Sequence, residues 1–250
     1  MNSILGIIPA RYGSTRFPGK PLANIGGMSM IQRVYEQAKK ELEYVYVATD
    51  DERIEEAVKS FGGCVVMTSV DHKSGTDRCA EAFTKIRSIK KIDFDAVINI
   101  QGDEPFISPK QISSVAKCFI DSSTQLATLI KPITATEDLF NPNKPKVVVS
   151  EDQHALYFSR SPIPYFRGED EEQWVKKHCY YNHIGLYGYR SDILFEITKL
   201  AIGKLEQAES LEQLRWLENG YSIRVEETFE ESHGIDTPED LERLTDLGLL

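Results

Sequence analysis

The chain has 250 residues, of which 41% are hydrophobic and 27% charged, the profile of a water-soluble globular protein with ample core. Its net charge of −10 argues against non-specific nucleic-acid binding, and no apolar run approaches a signal-peptide core or a membrane span, so the expected address is cytoplasmic. The charge is unevenly placed: the first 35 residues hold Arg11, Arg16, Lys20 and Arg33 and no acid, a local positive site on an acidic body that suits a small anionic ligand.

The first half alternates strand and helix signals. "SILGIIP" reads as a strand, and "MSMIQRVYEQAKK" as a helix with Met30, Ile31, Val34 and Ala38 on one stripe. "YVYVAT" is a second strand. Asp50 or Asp51 caps "DERIEEAVKSFGG", a helix closed by Gly62. "CVVMT", "TDRCAEAFTKI" and "FDAVINI" read as strand, helix and strand. "SPKQISSVAKCFI" opens with Ser108 as cap and Pro109 at the first helical position. Repeated units of this kind predict a Rossmann-like, mostly parallel sheet with helices on both faces. Ligands of such sheets bind at the carboxyl ends of strands.

Beyond residue 124 the pattern changes. "QLATLIKPI", "KPKVVVS", "HALYFS" and "YYNHIGLYGYR" read as strands separated by proline-rich turns. This predicts a smaller antiparallel insertion over about 124–190, acting as a lid or dimer contact within a single domain spanning 1–250. The acidic "RGEDEEQW" reads as an exposed loop. "ESLEQLRWLENG" predicts a helix with Leu211, Leu214 and Leu217 inward, which leaves Glu212 and Gln213 solvated. "YSIRVEE" is a last strand and "DTPEDLERLTDLG" a closing helix. Cys64, Cys79, Cys118 and Cys179 are widely spaced, with no CxxC and no histidine at a ligand-like interval, which predicts free thiols in a reducing compartment.

Two segments leave strand ends in this scheme. In "IIPARYGSTRFPGKPL", Gly13 and Gly19 let the backbone approach a ligand, and Arg11, Arg16 and Lys20 offer cations to phosphate oxygens. It is neither a Walker A loop, since Pro21 follows the lysine, nor a GxGxxG turn. In "NIQGDEP", Asp103 and Glu104 follow a buried strand. A carboxylate there can hold Mg²⁺, which takes one or two carboxylates plus phosphate oxygens and water; it can equally serve as a turn residue satisfying its own backbone. Asp236, in "GIDTPED", reads first as a helix cap, and a metal role for it requires that it meet Asp103. His183 in its aromatic strand reads as a packed residue, and Arg160 in "SRSPIP" as a candidate for a phosphate or a sugar carboxylate. No HExxH or GxSxG occurs, and the five histidines show no metal-ligand spacing.

Together, "IIPARYGSTRFPGKPL", "VATDDERI", "SGTDR", "NIQGDEP", "ALYFSRSPIP", "HIGLYGYR", "LEQLRWLENG" and "GIDTPEDLERL" resemble the 3-deoxy-manno-octulosonate (Kdo) cytidylyltransferases, or CMP-Kdo synthetases, from residue 4 to about 245. The opening segment is shared with the sibling CMP-sialic acid synthetases; the later motifs narrow the resemblance to the Kdo enzymes. It implies a nucleotide-diphospho-sugar transferase type of fold and the conversion of CTP and Kdo to CMP-Kdo and pyrophosphate for lipopolysaccharide biosynthesis. It also implies Mg²⁺ dependence and a homodimer. Carried over by position, Arg11, Ser14, Arg16, Lys20, Arg78 and Gln101 would contact CTP, and Asp103 and Asp236 would hold Mg²⁺. Arg11, Lys20, Asp103 and Asp236 would be the catalytic set, and Arg160, His183, Tyr187, Glu212 and Gln213 would shape the Kdo pocket. The family often has Ala at the position of Gly13, a small residue as well, and residues 164–180 match poorly.

Overall fold

The computed structural model describes residues 3–13, 17–231, 234–235 and 237–241. The chain forms two compact units: Met1–Ala116 with Glu230–Leu250, and Lys117–Phe229.

The first unit starts with β1 (Ile4–Ala10), the small hairpin β2 (Asn24–Ile25) and β3 (Met28–Ser29), and α1 (Met30–Lys39). It continues with β4 (Tyr44–Thr49), α2 (Glu52–Ser60), β5 (Val65–Met67), α3 (Gly75–Lys90) and β6 (Ala96–Asn99), and α4 (Pro109–Cys118) runs to its boundary. The helices begin where the sequence provides oxygen acceptors: Ser29, Asp51 and Ser74 accept the N–H groups of Gln32, Arg53 and Asp77. α1 buries Met30, Ile31, Val34, Tyr35 and Ala38, the predicted stripe with Tyr35 added. β1, β4 and β6 carry almost wholly buried apolar runs, as strands covered on both faces must.

The four long strands of this unit are parallel in the order β6-β1-β4-β5. The chain steps outward from β1 to β4 to β5 and then returns to the other side of β1. With right-handed crossovers, this reversal sends α3 to the face opposite α1 and α2. It also makes the carboxyl ends of β1 and β6 the topological switch point, where ligands of open α/β sheets bind.

The second unit holds β7 (Leu126–Ile133), α5 (Thr136–Phe140), β8 (Lys146–Val149), β9 (Ala155–Ser159), α6 (Trp174–Lys177), β10 (Tyr180–Arg190), α7 (Ser191–Ile197), α8 (Lys204–Glu209), α9 (Gln213–Glu218) and β11 (Ile223–Glu227). Its pairing is mixed: β10 runs antiparallel to β7 and β8, β8 and β9 form a hairpin, and β11 is parallel to β7. A bulge between Ile184 and Tyr187 shifts the register of β10. The acidic stretch is more than a loop: Trp174 is buried with Ile133, Leu139 and Tyr180, stacked on the last of these. The burial of one large aromatic outweighs the solvation of its acidic neighbours. The four cysteines are free thiols, and no helix among the described residues is long and apolar enough to cross a membrane.

Candidate functional site

In the first unit the loops that follow β1 and β6 meet over a cleft of about 280 Å³. Pro9, Ala10, Arg11, Lys20 and Pro21 come from one loop, and Gln101, Gly102 and Asp103 from the other; His72, Lys73, Ser74, Gly75 and Arg78 complete the wall. Gly102 makes the approach of the loops possible, since a Cβ there would lie 3.0 Å from the carbonyl oxygen of Pro9.

The opening loop is shaped by its glycine. Gly19 adopts φ +71°, its N–H donates to the Tyr12 carbonyl at 3.0 Å, and a short 3-10 turn over Lys20–Leu22 follows. The Arg53 guanidinium covers the Tyr12 ring at 3.3 Å while binding both oxygens of Asp51. This turn directs Lys20 to Asp103: Nζ donates to Oδ2 at 2.8 Å, with side chains 15% and 35% exposed. Arg11 is exposed at the mouth of the cleft. The sequence reading thus placed Arg11, Lys20, Arg78, Gln101 and Asp103 at one site, and these five line one cleft.

Their states differ. Arg78 is 4% exposed, and its guanidinium donates to Asp50 Oδ2 at 2.7 Å and Thr68 Oγ1 at 2.6 Å. It fastens α3 to the ends of β4 and β5 beneath the cleft. The amino-terminal end of the 16-residue α3 also faces this cleft through Ser74 and Gly75, and its first N–H groups and dipole favour an anion. Ser14, Arg16 and Asp236 lie outside the described residues. Ile235, the chain neighbour of Asp236, donates its N–H to the Asp103 carbonyl at 2.9 Å.

Asp103 suits Mg²⁺ by its chemistry: a partly exposed carboxylate beside cations that would hold phosphate, with only Oδ2 paired among the described residues. Among the described residues no group of three or more His, Cys, Asp or Glu converges.

In the second unit, His183, Tyr187 and Trp216 form one aromatic neighbourhood. The rings of His183 and Tyr187 are 5.2 Å apart, and Trp216, one turn after Gln213 on α9, meets Tyr187 edge-on at 5.0 Å. Thr128 Oγ1 gives its single proton to the bulge carbonyls of Ile184 and Leu186, so His183 Nε2, 3.1 Å away, donates to it. Burial pushes the His183 imidazole down to about 3 and holds it neutral. Burial, followed by the fields of Tyr189 and Glu212, raises the Tyr187 phenol well above its ordinary value.

Gln213 corrects the expectation of a solvated side chain: it is 4% exposed. α9 starts at Gln213, and its inner face is set by Gln213, Leu214 and Trp216, because Trp216 is drawn against Tyr187 and Tyr189. Gln213 Nε2 and Trp216 Nε1 are buried without hydrogen-bond partners among the described residues, a cost that a polar ligand would relieve. Glu212 caps α9, 4.0 Å from Arg215. Arg160 is engaged elsewhere: its guanidinium donates to the carbonyls of Glu209, Pro142 and Ser210.

Sequence reasoning passed over His72, Lys73 and Trp216. The signal for the first two was position: they directly precede the Ser74 cap of a helix that opens on a strand-end loop. Trp216 offered none, since an aromatic at helical spacing reads as core.

A family model described as Cytidylyltransferase matches residues 5–245. A 3-deoxy-manno-octulosonate cytidylyltransferase from Bacteroides thetaiotaomicron is 64% identical over 240 residues, covering 95% of this chain and 94% of its own. One from Parabacteroides distasonis is 60% identical over 247 residues, covering 97% of each. Among solved structures, CMP:2-keto-3-deoxy-manno-octonic acid synthetase complexed with CTP superposes with a TM-score of 0.88 at 44% identity, covering 98% of both chains.

Proposed function

The chain belongs to the cytidylyltransferase family, and from that premise we propose that it transfers CMP from CTP to the anomeric hydroxyl of Kdo. The products are CMP-Kdo, an activated sugar for lipopolysaccharide biosynthesis, and pyrophosphate. The observation that carries this reading is the cleft at the switch point, where Arg11, Lys20 and Asp103 gather beside the amino-terminal end of α3.

CTP carries about four negative charges and Kdo a carboxylate, so their approach is repulsive unless charge is offset. Arg11 and Lys20 supply part of the offset by holding triphosphate oxygens, with Ser14 and Arg16 extending the same loop. Gln101 orients the nucleotide beside β6. Phosphoryl transfer asks for positioning and charge neutralisation more than for covalent help, and these residues provide both. Asp103, with Asp236 as the second candidate, would hold Mg²⁺. When bound, the ion neutralises phosphate charge and withdraws electron density from the α-phosphorus. The oxygen of the anomeric hydroxyl bonds to the α-phosphorus and releases its proton to solvent, while the bond from that phosphorus to the bridging oxygen breaks and pyrophosphate leaves with the electron pair.

The sugar acid falls to His183, Tyr187, Glu212 and Gln213, with Arg160 bracing the segment that precedes α9. Buried Gln213 Nε2 suits a hydroxyl or carboxylate oxygen. Neutral His183, its Nε2 proton given to Thr128, has a ring lone pair for a sugar hydroxyl. We take the working form to be a cytoplasmic homodimer, as the family resemblance implies.

Pyrophosphate release in the presence of CTP and Mg²⁺, with Kdo or a sialic acid as co-substrate, tests the reading. Release with Kdo alone is expected. Release with the sialic acid alone would overturn the sugar assignment, and release with neither would overturn the transfer.

A further inference from the structure

Glu81, on α3, gathers the loop that carries His72 to the cleft. Its Oε2 accepts the Ser69 backbone N–H at 2.9 Å and also meets His72 Nε2. Its Oε1 pairs with Lys85 at 2.7 Å, and Lys85 donates in turn to the Met67 carbonyl at 2.8 Å. Burial alone would raise the Glu81 carboxyl. The donors Lys85, Ser69 and His72 outweigh it and hold the group at about 2. Glu81 is therefore an anion, able only to accept. A carboxylate cannot donate, so the hydrogen bond between the two is given by His72 Nε2–H, and in that neutral tautomer the ring's lone pair lies on Nδ1. His72 lines the cleft, and its Nδ1 has no hydrogen-bond partner among the described residues.

The two sides of the cleft differ in character. Arg11, Lys20 and Asp103 form the charged side, suited to the triphosphate. Along 72–78, Arg78 is consumed by Asp50 and Thr68, the Ser74 hydroxyl oxygen accepts the Asp77 N–H, and Lys73 is exposed. With the amino-terminal end of α3 at Ser74 and Gly75 favouring phosphate, the wall at His72, just before that end, is left for the nucleoside. A pyrimidine is told there by its edge: cytosine carries an exocyclic amine, a donor, where uracil carries a carbonyl, an acceptor. A ring nitrogen with a lone pair accepts from the first and opposes the second.

We propose that His72 contacts the base of the bound nucleotide, accepting a hydrogen bond from cytosine's exocyclic amine through Nδ1, with Glu81 as the positioning residue that fixes the tautomer. The proposal rests on the nucleotide reading above and adds a residue that discriminates CTP from UTP. Mispairing of two acceptors in a partly buried site gives discrimination of about tenfold or more.

The test uses the full chain and two readouts: calorimetric binding of CTP, UTP and inorganic tripolyphosphate, and pyrophosphate release with Kdo for each nucleotide. His72→Ala and His72→Gln are expected to lower the CTP-to-UTP preference about tenfold, chiefly through KM, with tripolyphosphate binding unchanged. His72→Asn places an amide oxygen near the position of Nδ1 and is expected to keep most of the preference. Glu81→Gln frees the tautomer and removes the charge that Lys85, Ser69 and His72 meet, so it is expected to give an intermediate loss of the preference together with a lowered melting temperature. A preference within twofold of the parent in both His72→Ala and His72→Gln would overturn the proposal. So would a loss of tripolyphosphate binding equal to that of CTP, which would make His72 a phosphate contact. If the parent chain binds CTP without turning it over, the transfer reading fails, and the binding ratios still judge His72.

Discussion

Lys20 and Asp103 face each other at 2.8 Å while partly open to solvent. An ion pair of that exposure contributes on the order of 1 kcal/mol, small beside the charge of a triphosphate and its metal. The pair holds both side chains at the cleft wall. Asp103→Asn keeps the shape and removes the ligand charge, so kcat is expected to fall by about two orders of magnitude or more while the melting temperature stays within a few degrees. Steady-state kinetics at saturating Mg²⁺ checks this, and near-normal turnover would remove Asp103 from the metal site. Lysines, arginines and carboxylates beside strand ends were legible in the sequence because their types suit the chemistry. What each one touches was not. Arg160 reads as an anion binder by its type, and the family resemblance puts Arg78 beside CTP, yet the first ties three backbone carbonyls and the second an internal aspartate.

Among the elements, β1 and β6 decide where the site lies. Their parallel pairing, Ile4 with Ala96 through Ile7 with Asn99, brings the two following loops side by side. The close approach depends on Gly102. In Gly102→Ala the new Cβ meets backbone at Pro9, which cannot rotate away as a side chain tip can. The expected cost is about 1–3 kcal/mol, together with a raised KM for CTP as the 101–103 turn is displaced. Thermal melts and kinetics of that single variant check both effects, and an unchanged KM would detach the turn from nucleotide binding. The βα repeats of the first unit were readable because apolar runs, cap residues and closing glycines agree there. The short helices α5 to α8 were not, since four to seven residues give too little periodicity to register. The inner face of α9 was only partly read: Leu211 and Leu214 are buried as expected, but packing of Trp216 on Tyr187 and Tyr189, which no local pattern records, accompanies the burial of Gln213.

At the scale of the whole molecule, an acidic chain keeps a small group of cations at the switch point of one unit, and in the other, among the described residues, it keeps the buried polar groups Gln213 Nε2 and Trp216 Nε1 without hydrogen-bond partners. Sequence spacing could not show that residues 11, 20, 78, 101 and 103 share a wall, nor that residue 235 returns to 103 by a backbone hydrogen bond. Long-range pairing of strands makes those meetings, and a single sequence does not state its pairings. A crystal structure with CTP and Mg²⁺ bound probes the site most directly. The account predicts triphosphate oxygens within about 3.2 Å of the Arg11 and Lys20 side chains and the metal about 2.1 Å from an Asp103 carboxylate oxygen. A nucleotide seated away from the ends of β1 and β6, or a metal that does not touch Asp103, would contradict it.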